Sequence, residues 1–248
     1  PEREVRIGLI GKYVELKDSY KSINEALIHA GTEHNAKVDI QWIHSEELTP
    51  ENAASHLAGL HGVLVAPGFG ARGFEGKIEA VRIAREHGIP FFGICFGMQA
   101  AVIEYARNVL GHQSANSTEV DPKTPHPVIA LMEEQKDVTE KGGTMRLGSC
   151  DCLLSPDSTL HKLYGTILVT ERHRHRYEFN NAYREQLAEA GLQPVGINPQ
   201  NDLVEIVTLT SHPWFIGVQF HPEYQSTVEA PHPLFTSFVE AALKQSQA

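Results

Sequence analysis

Positive charge is scarce in this chain: 21 lysines and arginines stand against 31 aspartates and glutamates, a formal net charge of −10 over 248 residues. Such a surface repels phosphate backbones, so general nucleic-acid binding is excluded as a main role. Cysteine is scarcer still: the three present are odd in number and too few for a disulfide framework. Cys150 and Cys152 flank one residue, too close for a normal bridge, and their alternation with Asp151 suits packing on a strand. A reducing, cytoplasmic setting is expected. Neither end carries an apolar stretch fit for a secretory or membrane-spanning segment, and no Gly-x-x-x-x-Gly-Lys-Ser/Thr loop offers a cradle for ATP.

Linker-like composition shifts and internal repeats are also missing, so one domain over residues 1–248 is expected. The chain begins at Pro1 rather than methionine, which suggests a domain cut from a longer protein. Val5–Gly11, Val38–Ile43, Gly62–Ala66 and Ile89–Ile94 read as apolar strands, separated by helices from Asp18 to Gly31, Pro50 to Leu60 and Glu75 to His87. That alternation predicts an α/β fold: a flavodoxin-like, doubly wound, mostly parallel sheet with helices on both faces. The second half adds antiparallel strands at Val128–Met132, Met145–Leu154, Arg174–Phe179, Leu203–Thr208 and Phe215–Phe220, with helices Ala182–Ala190 and Leu234–Lys244. Between the halves, Gly111–Pro127 is polar and proline-punctuated, as functional loops are.

Chemistry concentrates at Gly93-Ile94-Cys95-Phe96-Gly97. An apolar strand ends there and a helix running Met98 to Leu110 begins, so Cys95 occupies a sharp elbow with glycine required on either side. The helix start offers unpaired N–H groups and positive dipole charge, which favour a thiolate and a nascent oxyanion. Far downstream, His221-Pro222-Glu223 follows an apolar strand, and an acid two residues after a histidine can fix its tautomer and orientation if the chain stays extended. Nucleophile, base and orienting acid are therefore assigned to Cys95, His221 and Glu223. Buried cysteine as a small hydrophobe and a surface His-Pro turn are the bland accounts of each half alone.

With these motifs the chain resembles the class I, triad-type glutamine amidotransferases, and within them the glutaminase domains of CTP synthases. The resemblance rests on Gly93 to Gln99, Asn116 to Glu119, Gly142 to Gly148, Glu171 to Glu178 and Gln219 to Glu223, spread over nearly the whole chain. It implies a γ-glutamyl thioester on Cys95, oxyanion donors in the backbone N–H groups of Gly68 and Phe96, and a glutamine site drawing on Gly68, Phe96, Gly97, Met98, Gln99, Glu119 and Arg176. Glu119 would face the substrate's ammonium and Arg176 its carboxylate. No metal is implied in this part; His173 and His175 lack an evident third ligand and read as structural and domain-facing. ATP, UTP and magnesium belong, by the same resemblance, to an amino-terminal synthetase domain absent from this chain, with GTP an allosteric activator at the interdomain surface and the full enzyme a homotetramer. L-glutamine and that synthetase domain are the implied partners, with neither nucleic acid nor membrane among them.

Two residues depart from the resembled pattern. Pro67 stands where the family has glycine, and Phe96 where leucine is usual. Proline has no N–H and a fixed φ, so a regulatory binding module with a spoiled oxyanion loop stays open as a rival reading, as does a free-standing γ-glutamyl cysteine hydrolase that uses the same triad without a synthetase partner.

Overall fold

In the computed structural model, which describes residues 3–131 and 145–248, β1 (Arg3–Gly11) pairs in parallel with β2 (Ala36–His44) on one side and β3 (Gly62–Val65) on the other. Helices α1 (Lys21–Glu33) and the four-residue α2 (Ala53–His56) lie between them in sequence. Next come α3 (Phe74–Glu86), β4 (Phe91–Ile94) and α4 (Phe96–Asn108). The chain continues with β5 (Ala115–Ser117), β6 (His126–Ala130), β7 (Arg146–Leu154), α5 (Thr159–Tyr164), β8 (Leu168–His175) and β9 (Glu178–Phe179). It closes with α6 (Arg184–Glu189), β10 (Leu192–Ile197), β11 (Val204–Leu209), β12 (Phe215–Val218) and α7 (Pro233–Gln245).

Nine strands form the main sheet in the order β2-β1-β3-β4-β12-β11-β10-β7-β8. The run from β2 to β12 is parallel, and every later pairing is antiparallel. Burial follows pairing: β3 and β4 are buried at every position, as strands covered on both faces must be, whereas β8 alternates exposed and buried along its length. One face is covered by α3 and α4 through residues such as Ile78, Val81, Val102 and Ile103; the other by α1 and α7 through Ile23, Leu27, Phe235 and Phe238. A doubly wound sheet of this kind leaves the carboxyl ends of its parallel strands open to a ligand. The doubly wound expectation holds, with the antiparallel extension in the second half.

Several boundaries differ from the sequence reading, each for a local reason. The strand expected over Arg174–Phe179 is two: β8 ends at His175, and β9 joins a separate three-stranded sheet with β5 and β6. β10 has no counterpart in the reading because Pro194 and Gly196 interrupt it, and the pairing with β11 shifts register at those residues. The helix expected over Pro50–Leu60 shrinks to α2, preceded by a turn in which Asn52 Oδ1 accepts from the Thr49 N–H at 2.8 Å. Met132 and the Gly142-Gly143-Thr144 part of a quoted motif lie outside the described residues.

The elbow at Cys95 shows why glycine flanks it. Cys95 has φ 53° and ψ −104°, a strained conformation for a residue with a side chain. A Cβ on Gly93 would meet the Gly97 carbonyl group at 2.7 Å, and one on Gly97 would collide with the Val65 carbonyl oxygen. Replacing Gly97 with alanine should therefore lower stability by about 1–3 kcal/mol or more in urea unfolding. Gly111→Ala, at φ 80° with no neighbour within 4 Å, should cost about 1 kcal/mol of backbone strain alone. Equal losses at the two sites would contradict the close-approach account.

Candidate active site

Cys95 is held from three sides. Its N–H donates to the Val218 carbonyl at 2.7 Å, extending the β4–β12 pairing one step beyond β4, and its own carbonyl accepts from the Gln99 N–H at 3.2 Å within α4. The sulfur is nearly buried, 3.9 Å from the Arg174 carbonyl oxygen, and receives the Gln219 side-chain amide at 3.7 Å. Gln219 in turn accepts from Gln99 Nε2 at 3.2 Å, which also donates to the Tyr177 carbonyl. Gln99 thus faces the cavity as a buried brace for a second glutamine beside the sulfur.

His221 follows β12, its N–H bonded to the Arg172 carbonyl at 2.8 Å. The chain does not stay extended there: it enters a 3-10 turn over Pro222–Gln225, with Pro222 in the first helical position, where its missing N–H costs nothing. Glu223 still reaches back, and its Oε1 takes the Nδ1 proton of His221 at 2.7 Å. Tyr224 stacks on the imidazole at 5.1 Å between centroids. The ring is fixed in plane and tautomer, leaving Nε2 buried without a partner at conventional geometry. Burial opposes an imidazolium here, but the Cys95 sulfur and Glu223 outweigh it and raise His221 from 6.5 to about 11.

Cys95, His221 and Glu223 open into one cavity of about 1050 Å³, shared with Pro67, Gly68, Phe69, Gln99, Glu119, Arg176 and Tyr177. Residues Tyr13 and Asp18–Ile23, ahead of and within the start of α1, close one side; no motif drew attention to them. Glu119 lies just past β5 and Arg176 just past β8, so an acid and a base share the wall. Burial raises Glu119, while the Gly70 N–H, Arg176 and Lys12 oppose that shift. One of its oxygens already accepts from Gly70 at 2.7 Å. Phe96, Gly97 and Met98 were expected around the substrate, but Met98 is fully buried in the core, Gly97 abuts Val65, and the Phe96 ring stacks on Phe74 at 4.2 Å. The Phe96 and Met98 side chains turn away from the cavity, leaving backbone groups as what the three residues can present.

The segment Ala66–Gly70 is pinned by charged side chains. Lys77 donates to the carbonyls of Ala66 at 2.9 Å and Pro67 at 3.3 Å, Lys12 donates to the carbonyl of Phe69 at 2.8 Å, and Glu119 takes the Gly70 N–H. Neither lysine stood out in the sequence.

Beneath β8 lies a second polar cluster. His173 and His175 exchange a 2.7 Å hydrogen bond, and Glu205 supplies a third group within ligand reach. Arg146, however, places its guanidinium 2.6 Å from Glu205 and 3.4 Å from Glu178. A resident cation already balances these acids, and two nitrogens bonded to each other are not spread around an ion. Burial, with Arg146 nearby, lowers His173 to about 3; it raises Glu178 to about 8 and Glu205 to about 7 against the pull of Arg146.

The family model for class-I glutamine amidotransferases matches residues 15–241. A CTP synthase of Christiangramia forsetii is 62% identical over 246 residues, covering 99% of this chain and 45% of the relative. One of Flavobacterium psychrophilum is 63% identical over 244 residues, covering 98% of this chain and again 45% of the relative. The chain thus spans about half the length of the curated relatives it matches. Among solved structures, the Trypanosoma brucei CTPS glutaminase domain with bound acivicin superposes with a TM-score of 0.91 at 40% identity, over 97% of this chain and 94% of that one.

Two outcomes test the site's electrostatics. In Cys95→Ala the imidazolium loses its sulfur partner, so the His221 titration followed by NMR should fall well below 11; an unmoved titration would mean that sulfur and ring are not coupled. In Arg146→Met the two buried acids lose their cation and their pKa values rise further. Groups raised in the folded state lose stability as pH climbs above their unfolded value, so this variant should lose more stability at pH 9 than at pH 5; the reverse order would refute the balance described.

Proposed function

The chain belongs to the class I glutamine amidotransferases, and on that premise we propose that it is the glutaminase part of a CTP synthase, hydrolysing L-glutamine and passing ammonia to a synthetase domain. The observation that carries this reading is one cavity holding the Cys95 sulfur together with the hydrogen-bonded His221 and Glu223 pair.

The Cys95 thiolate attacks the side-chain carboxamide carbon of glutamine. Charge collects on the amide oxygen, which the N–H groups of Gly68 and Phe96 receive, the second aided by its place at the start of α4. His221 Nε2 gives its proton to the amide nitrogen, the carbon–nitrogen bond breaks, and ammonia leaves behind a γ-glutamyl thioester. Water then yields a proton to His221 as its oxygen attacks the thioester carbon, and the sulfur departs. Glu223 holds the ring and offsets its positive charge in both halves. Arg176 receives the substrate carboxylate, and the oxygen of Glu119 not engaged by Gly70 receives the ammonium.

Nothing in these steps calls for a metal or cofactor. ATP, UTP and magnesium would serve the synthetase domain that makes up the rest of the relatives' length, GTP would act at the interface between the two, and the assembled enzyme would be a homotetramer in the cytoplasm. Among the described residues no helix is long and apolar enough to cross a membrane.

Glutamate and ammonia released from glutamine, with and without added synthetase domain, test the proposal. The wild-type chain should release both in equal amounts, Cys95→Ala neither, and an electrophilic glutamine analogue should label Cys95 alone. No release even with the partner present would favour the binding module instead, and equal release without any response to a synthetase domain would favour the free-standing hydrolase.

A further inference from the structure

Lys77 belongs to α3, yet its side chain is 1% exposed and its ammonium nitrogen ends among backbone oxygens rather than beside an acid. The apolar stem can pack as a core residue does. The nitrogen has a more specific place: 2.9 Å from the Ala66 carbonyl oxygen, 3.3 Å from that of Pro67, and 5.1 Å from the centre of the Phe96 ring. Pro67 and Phe96 are the two positions that depart from the resembled pattern, and Lys77 touches both.

The Pro67 carbonyl and the Gly68 N–H are the two ends of one peptide group. That group is planar and trans, so its C=O and N–H point in opposite directions. A donor holding the carbonyl from the α3 side therefore aims the N–H away from α3. We propose that Lys77 is a positioning residue for glutamine hydrolysis: by holding the Pro67 carbonyl it locks the peptide that presents the Gly68 N–H to the oxyanion formed at Cys95. This rests on the glutaminase reading.

Three features support it. Gly68 cannot hold the orientation by itself, because glycine turns freely about φ. A Cβ at Gly68 would lie 2.9 Å from the Lys77 nitrogen and 3.3 Å from the Phe96 ring, so a bare backbone and a buried lysine are fitted to each other. The lysine is also costly to keep. Burial and the nearby charge of Lys12 depress it to about 7, with Cys95 pulling the other way. Its hold on the loop does not depend on that charge, since an ammonium and a neutral amine each have enough hydrogens for two carbonyls.

Lys77→Met fills similar volume without a donor. If the peptide is locked as proposed, kcat for glutamine hydrolysis falls about 10- to 100-fold with KM within about threefold, the signature of an interaction made mainly in the transition state. Alkylation of Cys95 by iodoacetamide separates this from general disorder. There a sulfur–carbon bond forms as the carbon–iodine bond breaks and iodide leaves, and no oxyanion develops, so the rate should stay within about threefold of wild type. Lys77→Leu also removes the donor while keeping an apolar stem, and should show the same split; it serves as the deciding variant if Lys77→Met does not fold. Hydrolysis within about threefold of wild type, or hydrolysis and alkylation falling together, overturns the proposal. A wild-type chain that alkylates at Cys95 but releases no ammonia, with synthetase domain present, would instead sink the glutaminase reading beneath it.

Discussion

The pairing of β4 with β12, Phe91 against Phe215 and Ile94 against Val218, is the constraint from which the site follows. These strands lie far apart in the chain; β4 ends at the residue before Cys95, and β12 ends three residues before His221. The Cys95 N–H continues their pairing onto Val218, so the elbow leaves the sheet at a level set by β12, and His221 leaves it three residues further along. A slip of one residue would turn the apolar side chains of β12 to opposite faces. Apolar contact resists that slip: Phe91 and Phe215 stack at 4.4 Å between centroids, and both strands are buried throughout. Ordinary core packing therefore holds Cys95 and His221, the proposed nucleophile and base, in register.

The two halves of the sheet contribute different things. The parallel half supplies turns at strand ends, where Cys95 and the Ala66–Gly70 segment leave the sheet and line the cavity. The antiparallel half supplies rigidity through buried charge. The Arg172 carbonyl that receives the His221 N–H lies on β8, and the neighbouring His173 packs over the Arg146–Glu205 pair and against Phe220. Removing ions from water is expensive, and a buried pair of this kind returns little net stability. What the cluster offers is a strand that cannot shift without leaving an acid unpaired.

Local features of the site were legible in the sequence, and features made by folding were not. Gly-Ile-Cys-Phe-Gly could be read because the strain and both close approaches fall within a few residues of the sulfur. The spacing of His221 and Glu223 predicts contact if the chain stays extended, but a 3-10 turn rather than an extended strand brings them to 2.7 Å. Lys77, Lys12 and Tyr224 gave no signal, and Gln219 stood in a quoted motif without a role. A lysine on a helix is ordinarily a solvated one, and only the seating of α3 over the Ala66–Gly70 segment makes this one a core residue. Similarly, nothing around His173 and His175 in the sequence revealed that Glu205, from β11, would meet these buried histidines of β8.

Pro67 illustrates how a departure that looks damaging in sequence is absorbed by structure. The loss of an N–H at residue 67 matters only if that hydrogen is the one required, and in the mechanism proposed above the donor belongs to residue 68. Proline keeps its carbonyl, which is the end that Lys77 grips. Its ring fixes φ at residue 67 but leaves ψ, the torsion next to the 67–68 peptide, while the torsion on the other side belongs to a glycine and is soft. A peptide that can turn about both neighbouring bonds needs an outside hold at its carbonyl. The lysine supplies that hold, and the bare Cα of Gly68 leaves the lysine room to do it.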